Sequence, residues 1–389
     1  SADEGVAWTV RLPGTGQSTP VVWGDLVVVS SIDGEQKDTV IASALSLESG
    51  EVVWRRRFAA SQQIESSRLV SHAAPTPIVF DDQRVVIFWE SGDVVAFDRA
   101  GDDLWHRSLV DDYGPFVGNH GVGSSPVRTA DAVILQVTHG GPSYFVALDP
   151  ADGSVRWKAD RPEGVAWTTP SVVDGPNGQV IVSSAAGRAE ALDAATGEQL
   201  WHYEGIERNN VPSVVVDGDL VVVASSNAGH NFALRRGGSG ELDESAVVWR
   251  SEGVTSGFGS PIVHGDCVLF VNKAGVVTCV GREDGAERWR HRLPNGTWAS
   301  PIATADRVYF FTEKGETVVL NHDVDGPEVL AENHLDIEGT VHGAAAAPGA
   351  LILRTGDAVV RVGVTPDTGE TSEPDGETIA DASSSTAER

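Results

Sequence analysis

Several residue types are scarce in this 389-residue sequence, and their scarcity excludes several classes of protein. Methionine is absent, and there are only two cysteines, Cys267 and Cys279. Two cysteines are too few for a disulfide-framework protein or for a four-cysteine zinc or iron–sulfur site. No apolar run approaches the ~20 residues of a membrane-spanning helix, so we expect no transmembrane segment. The 41% hydrophobic content is nevertheless sufficient for a large folded core.

Basic residues are also few, which bears on partners and location. The chain has 28 Lys plus Arg against 56 Asp plus Glu, a formal net charge of −28. A surface of that sign repels phosphate backbones, so nucleic acid is not an expected partner. The acidic surface suits secretion and equally serves ordinary solubility. Because the chain opens at Ser1 without an initiator methionine, we expect an extracytoplasmic protein, periplasmic or secreted, whose signal peptide has been removed.

The most prominent positive feature of the sequence is an internal repeat. A Ser, Thr, Ala or Val followed by Pro and β-branched residues recurs eight times, about every 47 residues. The eight prolines are Pro20, Pro77, Pro126, Pro170, Pro212, Pro261, Pro301 and Pro348. Within a unit the hydrophobic pattern has period two and is broken by Asp-Gly or Gly-Asp turns, which predicts short antiparallel strands.

A second marker runs out of phase with the prolines and consists of a glycine-containing turn followed by tryptophan. The tryptophans are Trp54, Trp105, Trp157, Trp201, Trp249 and Trp289. Trp8 stands ahead of the first proline marker, and Leu330 occupies the place where the seventh unit should have its tryptophan. Recurrence at one position of nearly every unit is what packing between units requires, so all seven tryptophans are interpreted as structural, blade-closing residues.

Four strands per unit and the lack of any long amphipathic helical segment predict an all-β fold, an eight-bladed β-propeller of four-stranded antiparallel blades. The eighth blade has three strands from about Ala346 to Val364. Residues 6–11 are therefore predicted to add its outermost strand and close the ring. The propeller spans residues 1–364, and the acidic, Ser/Thr-rich segment 365–389 is predicted to be a disordered tail, either a tether or a free end.

The repeat resembles that of a known family. Ala-Leu-Asp, x-Thr-Gly-x and a closing Trp, as in the segment from Ala191 to Trp201, are similar to the PQQ-like propeller repeat of quinoprotein dehydrogenases and of BamB, the β-barrel assembly lipoprotein. The resemblance covers residues 6–364. Segments 71–77 and 119–126 are similar to secreted bacterial proteins known only as PQQ-binding-like propellers. The resemblance implies a shape, so function has to be argued from sites.

Among these relatives, the quinoprotein dehydrogenases imply PQQ, a calcium ion held by Glu, Asn and Asp, a catalytic Asp, a Trp floor under the quinone and two adjacent cysteines. None of these can be placed in the sequence, so we predict neither PQQ nor calcium as a cofactor. A hairpin centred on Lys273 and Ala274 would set Cys279 opposite Val268, with the two thiols on opposite faces. The cysteines are therefore expected to be small buried residues without a disulfide.

Unlike residues occur just before the proline markers, where otherwise similar units begin their innermost strands. The candidates for a ligand site at the channel mouth are His72, Asn119, His120, Trp167, Asn210, Trp298 and His342. Propellers gather such loops on one face around the axis, so these residues are expected to converge. No carboxylate or second histidine stands at ligand spacing, and no metal site is predicted. Satisfied channel-lining groups are the competing interpretation.

Two functions remain open from the sequence. The first is a non-catalytic, monomeric propeller that binds or scaffolds a protein, peptide or glycan, because no catalytic residues are found and Gly-x-Ser-x-Gly is absent. The second is an enzyme or small-ligand binder that uses the channel mouth. Within this second function, a relative of the PQQ-dependent dehydrogenases is the least favoured form. A funnel in which the candidate side chains share one volume favours ligand binding, and a plugged channel favours scaffolding.

Overall fold

Nearly all regular structure in the protein is β-strand. The computed structural model describes residues 5–64, 71–118, 120–206, 209–323 and 326–363. The strands form eight antiparallel sheets, each built around four strands, and the innermost strand of each sheet lies beside that of the next. The predicted eight-bladed propeller is confirmed. The predicted tail at 365–389 lies outside the described residues.

The first four blades have short outer connections. In chain order their elements are β1 (Val6–Arg11), β2 (Val21–Trp23), β3 (Leu26–Asp33), β4 (Thr39–Ser46), β5 (Val52–Ala59), β6 (Ile78–Val79), β7 (Val85–Phe88), β8 (Asp93–Phe97), β9 (Asp103–Ser108), α1 (Leu109–Tyr113), β10 (Val127–Arg128), β11 (Val133–Val137), β12 (Ser143–Leu148), β13 (Val155–Arg161), β14 (Val165–Ala166), β15 (Ser171–Gly175), β16 (Gly178–Ala185), β17 (Arg188–Asp193) and β18 (Gln199–Glu204). Blades 1 to 4 are β2–β5, β6–β9, β10–β13 and β15–β18.

The second half contains a stretched fifth blade. Its elements are β19 (Asn209–Asn210), β20 (Val215–Asp217), β21 (Leu220–Val223), β22 (Asn231–Arg235), β23 (Gly240–Glu241), a 3₁₀ turn (Glu244–Ala246), β24 (Val247–Ser251), β25 (Ile262–His264), β26 (Cys267–Val271), β27 (Val276–Gly281), β28 (Glu287–Arg292), β29 (Ile302–Ala303), β30 (Val308–Phe311), β31 (Glu316–Asp323), β32 (Gly326–His334), β33 (Gly343–Ala347), β34 (Ala350–Arg354) and β35 (Ala358–Gly363). Blade 5 is β20, β21, β22 and β24, blade 6 is β25–β28, and blade 7 is β29–β32. Strand β23 instead adds a fifth, parallel strand to blade 4.

The ring closes as the sequence predicts. Strand β1 pairs antiparallel with β35, with Trp8 opposite Arg361 and Arg11 opposite Ala358, and so completes blade 8. The pairing removes an open sheet edge by joining the two ends of the ring. One detail of the repeat differs: Pro348 lies in the turn between β33 and β34, because blade 8 begins already at Gly343. Pro348 is therefore not equivalent to the earlier proline markers, and the mean repeat is slightly shorter than the sequence estimate.

The closing tryptophans join neighbouring blades by packing on a glycine turn. A Cβ at Gly101, where φ is +81°, would lie 2.5 Å from the Trp54 ring. Glycine is required there both by the backbone conformation and by the indole above it. The Trp54 Nε1 donates to the carbonyl of Arg99 at 3.1 Å. Equivalent ring contacts and indole hydrogen bonds are made by Trp8, Trp105, Trp157 and Trp249. Trp201 and Trp289 are likewise buried, in two other core clusters.

The seventh blade departs from this arrangement, and the sequence prediction for it was wrong by one residue. Ala331, rather than Leu330, pairs with Val319 in the register position that Trp54 holds opposite Ala44. Leu330 is the extra residue of the bulge and is 42% exposed. A cavity of about 540 Å³ lies between blades 7 and 8, with Val319 in its wall.

The cysteine prediction was also wrong. Cys267 and Cys279 form a disulfide across β26 and β27, with an S–S distance of 2.05 Å and a Cα–Cα distance of 5.5 Å. Cys279 pairs with Leu269 rather than Val268, because the turn is one residue longer than the sequence suggested. A one-residue slip moves a side chain to the other face of a sheet, which brings both sulfurs to the same side.

No helix in the described part of the chain is long and apolar enough to cross a membrane.

Candidate functional site

A ring of side-chain hydroxyls surrounds the channel where the innermost strands begin. We call it the hydroxyl circlet, and its members are Thr19, Thr76, Ser125, Thr169, Ser213, Ser260 and Ser300. The backbone N–H of each of the first six members donates to the hydroxyl oxygen of the member in the next blade, ending at Ser300 in blade 7, at 2.9–3.1 Å. Gly343 takes the place in blade 8.

Above the circlet lies a cavity of about 520 Å³, which we call the mouth cavity. All eight blades contribute to its wall. The repeated position two residues before the circlet is occupied by a different residue in almost every blade, including Gln17, Gly123, Trp167, Phe258 and Trp298. Because packing between similar blades would be served by similar residues, this variation marks the mouth as the part of the repeat that packing does not dictate.

The mouth cavity has two chemically different halves. Blades 4 to 7 form a half dominated by the apolar side chains of Trp167, Val211, Phe258 and Trp298, to which Lys273 adds one ammonium group and the circlet three serines. Blades 8, 1, 2 and 3 form a polar half whose hydrogen-bonding residues are His342, Gln17, Ser71 and His120. Each half consists of four consecutive blades, so a ligand that fills the mouth meets an apolar wall on one side and hydrogen-bonding groups on the other.

Aromatic contacts organise the apolar half. Phe258 and Trp298 stack with ring centroids 4.1 Å apart and an interplanar angle of 27°. The Nζ of Lys273 lies 4.4 Å from the Phe258 centroid on the cavity wall, a cation–π contact. Trp298 meets the His342 ring edge-on at 5.4 Å. The four side chains form a continuous row from blade 6 to blade 8.

The polar half presents hydrogen-bonding atoms without protein partners. The Nδ1 atoms of His120 and His342 and the Oγ of Ser71 are buried and have no hydrogen-bond partner among the described residues. His120 also lies 5.8 Å from the ring of Trp167, whose Nε1 donates to the carbonyl of Gly121 at 3.0 Å. Buried polar atoms normally have partners. These three have none within the described ranges, and it is other atoms of the same side chains that line the cavity.

A buried ion pair holds the loop that carries Ser71. The Nζ of Lys37 donates to the carbonyl of Ser71 and lies 3.2 Å from the Oε1 of Glu90, and both charged side chains are almost fully buried. Glu90 also accepts from the backbone N–H of Ala73 at 2.9 and 3.0 Å. Burial raises the pKa of Glu90 and lowers that of Lys37, and their mutual attraction opposes both shifts.

His342 is kept neutral by its surroundings. Burial, followed by the positive charges of Arg354 and His72, lowers the pKa of His342 to about 4. Arg354 is itself fully buried, and burial lowers its pKa to about 10. At neutral pH the imidazole of His342 therefore offers one donor and one acceptor to the cavity rather than a positive charge.

The remaining predicted site residues do not line the cavity. The backbone N–H of His72 donates to the Oε1 of Gln17 at 3.0 Å, and its carbonyl accepts from the Gln17 N–H at 2.8 Å. Asn210 is buried, with its Nδ2 3.4 Å from the carbonyl of Pro212, because in blade 5 the circlet residue follows the proline instead of preceding it. Asn119 lies outside the described residues.

The sequence analysis missed Lys273 entirely as a mouth residue. Lys273 lies in the turn between β26 and β27 rather than in a loop before an inner strand. Turn residues vary in every blade, so no departure from the repeat marked it. Gln17 and Phe258 do precede inner strands, and the same comparison of unlike positions that singled out Trp167 and Trp298 also finds them.

The described mouth residues do not fit a calcium–quinone centre. No aspartate or glutamate is among the described residues lining the cavity, and calcium requires several oxygen ligands, usually with carboxylates. Within the described ranges there is also no cluster of three His, Cys, Asp or Glu side chains able to hold a metal ion. No step involving such a group is therefore assigned to the mouth.

Comparison with known proteins places the fold in a family. The sequence profile described as "Outer membrane protein assembly factor BamB" matches residues 1–114, 90–247 and 240–371. The chain belongs to this family. BamB of Alkalilimnicola ehrlichii is 27% identical over 228 residues, which are 57% of this chain and 51% of that protein. The serine/threonine-protein kinase AfsK of Streptomyces griseus is 28% identical over 156 residues, 39% of this chain and 18% of the kinase.

Solved structures of low sequence identity share the propeller. BamB from Moraxella catarrhalis superimposes with a TM-score of 0.66 at 18% identity, covering 92% of this chain and 97% of that chain. The quinohemoprotein alcohol dehydrogenase of Comamonas testosteroni superimposes with a TM-score of 0.67 at 14% identity, and the match covers 94% of this chain and 78% of the enzyme. At these identities the similarity describes the fold alone, and matched segments span about half or less of the curated relatives' length.

Proposed function

We propose that this chain is a non-catalytic, extracytoplasmic binding module of the BamB family that holds part of a glycan, peptide or protein in its mouth cavity. The observation that carries the proposal is the division of one cavity of about 520 Å³ into an apolar half and a polar half. Aromatic walls recognise an apolar face, and the imidazole side chains of His120 and His342 supply polar groups for hydroxyls at the opposite edge.

Two observations support the extracytoplasmic part of the proposal. The Cys267–Cys279 disulfide is of the kind that forms and persists in oxidising compartments. The relatives include proteins named as outer membrane protein assembly factors. Thiol titration of the denatured protein, purified with thiol-blocking reagent from its native compartment, tests this point: we expect no free thiol before reduction and two afterwards.

The binding proposal is tested with a double variant of the mouth. His120→Ala combined with Trp167→Ala removes one residue from each half, and we expect it to abolish capture of any member of a glycan and peptide array that the unchanged protein binds. The melting temperature should change little, because mouth side chains fill little of the inter-blade core. His230→Ala with Leu330→Ala is the control, because both side chains are exposed and neither lines the mouth cavity, and it should bind normally.

Two results would contradict the proposal. Normal capture by the double variant would move the binding surface to the outer rim. A large loss of stability would assign the two residues to packing, which is the competing interpretation made from the sequence.

Catalysis at the same mouth is the second candidate, and the neutral His342 with its unpartnered Nδ1 is the observation that favours it. A neutral imidazole in a cavity is a possible general base. Conversion of a captured ligand by the unchanged protein, and its loss in His342→Gln, would establish an enzyme instead of a binding module. We expect the captured ligand to be recovered unaltered.

A further inference from the structure

The charges around the mouth cavity differ from those of the chain as a whole. Acidic residues outnumber basic ones 56 to 28 in the sequence. The described residues that line the cavity nevertheless include no carboxylate and one residue that is charged at neutral pH, Lys273. The mouth is therefore a locally cationic place on a strongly anionic protein, and an anionic group is repelled less there than elsewhere on the surface.

Lys273 is held in place by its surroundings. Its backbone packs so closely against two neighbouring loops that a Cβ at Gly257 would lie 3.0 Å from the Lys273 nitrogen, and a Cβ at Gly296 would lie 2.5 Å from the Lys273 oxygen. The side chain of Asn272 accepts from the backbone N–H groups of Ala274 and Val276 at 3.0 Å, which fixes the turn. The disulfide joins the two strands that carry this turn.

The ammonium group of Lys273 has no carboxylate partner among the described residues, and its Nζ lies 4.4 Å from the Phe258 ring centroid. Elsewhere on the chain, Arg156 pairs with Asp149 at 2.9 Å and Arg288 pairs with Asp284 at 2.9 Å. Glu313 holds the equivalent position in the next blade's turn, but it does not line the cavity. A cation left without an acidic partner, on a chain so rich in acids, is suited to an acidic ligand.

The other residues of the mouth indicate which kind of molecule bears the acidic group of the ligand. The circlet hydroxyls already accept the backbone N–H groups that precede six inner strands, so these six N–H groups are not free to bind the main chain of a peptide. The mouth therefore recognises a ligand through side chains. Its aromatic rings can pack on an apolar ring face, and the side chains of His120, His342 and Ser71 can contact hydroxyl groups. A sugar ring combines these two surfaces, because its C–H face is apolar and its edge carries hydroxyls.

We propose that the mouth cavity binds an acidic saccharide, with the sugar ring against the aromatic half and its carboxylate beside the ammonium of Lys273. This inference rests on the proposed binding function and specifies the chemical class of the ligand. The polar half then holds the ring hydroxyls, and the neutral state of His342 keeps both a donor and an acceptor available for them.

The test compares a ligand with its uncharged form. Oligogalacturonate and the same oligomer with methyl-esterified carboxyl groups differ in charge but share ring and linkage. By isothermal titration at low salt, we expect the acid to bind roughly tenfold more tightly than the ester, as one partly exposed charged hydrogen bond allows. Lys273→Gln should reduce the affinity for the acid to that for the ester and leave the ester unchanged.

Lys314→Gln is the matched control, because Lys314 is an exposed lysine in the corresponding turn of blade 7 and does not line the cavity. It removes the same charge and should preserve the preference for the acid. Equal binding of acid and ester would overturn the acidic-sugar inference while leaving a saccharide-binding mouth in place. Binding of neither oligomer, with capture of peptides instead, would overturn the inference but leave the proposed binding function standing. Capture of nothing would overturn both.

Discussion

The closing tryptophans of the rim and the two tryptophans of the mouth place the same residue in two different settings. At the rim, Trp54 and Trp105 are at most 9% exposed, and each rests on a glycine turn of the next blade. At the mouth, Trp167 and Trp298 are half-buried and line a cavity. The rim position is repeated around the ring, whereas the mouth position changes from blade to blade. The difference separates residues needed by the repeat from residues left for recognition.

The largest expected effect comes from opening the ring. Deleting residues 1–11 removes β1 and Trp8, exposes the edge of β35 and should cost more than the ~3–5 kcal/mol of a single buried tryptophan truncation. Thermal unfolding measures the loss. Deleting residues 365–389 is the control and should leave the melting temperature almost unchanged. Equal effects of the two deletions would contradict closure by the N-terminal strand.

Truncation at the rim should come next in size. Trp54→Ala leaves a cavity beside Phe97 and Gly101 and removes the indole hydrogen bond to the carbonyl of Arg99. We expect a loss of ~3–5 kcal/mol in the free energy of unfolding by denaturant titration, with ligand capture retained wherever the protein remains folded. A loss below ~1 kcal/mol would show that the rim tryptophans do not hold the blades together.

Lowering the pH should reduce the free energy of unfolding through His342 in the mouth, by less than the Trp54→Ala substitution does. The pKa of His342 is about 4 in the folded protein against 6.5 for the free side chain, so between these values the unfolded state binds the proton and the folded state does not. The free energy of unfolding therefore falls as pH drops from about 6.5 to 4, by ~1–3 kcal/mol from this group. His342→Gln should lose less stability over that interval than the unchanged protein. His230→Gln, on an exposed turn, should behave like the unchanged protein.

The smallest effect on stability is expected for Trp298→Ala. This residue packs on Phe258 and His342 at the cavity wall rather than between blades, so we expect a change of about 1 kcal/mol or less. Ligand capture should nevertheless be lost. A stability loss as large as that of Trp54→Ala would remove the distinction between rim and mouth.

The sequence predicts the fold well because the same strand and turn pattern recurs in all eight units. Blade number, strand direction and ring closure all depend on periodicity and turn residues, which are local. The errors occur where a single extra residue sets the strand register. A longer turn places Cys279 opposite Leu269, and a bulge puts Ala331 at the position where Leu330 was expected. In blade 6 hydrophobic alternation cannot fix the register, because β26 and β27 are buried on both faces.

The mouth was only partly predictable. Unlike residues at equivalent positions identified His120, Trp167, Trp298 and His342, and the structure brings these four to one cavity. Their role as ligand-binding residues stays a prediction. Asn210 turns inward because Pro212 is displaced by two residues from its counterparts, and no pattern in a single sequence shows that displacement. The place of Lys273 depends on contacts between loops of two blades, which periodicity does not encode.

The most direct measurement of the central claim is footprinting of the tryptophans by hydroxyl radicals, read by mass spectrometry with and without a captured saccharide or peptide. The rim tryptophans are buried in both states and should react slowly throughout. Trp167 and Trp298 should react faster in the free protein and become protected when ligand is bound. Binding with unchanged reactivity at both mouth tryptophans, or with protection confined to outer-strand residues, would contradict a ligand site at the mouth.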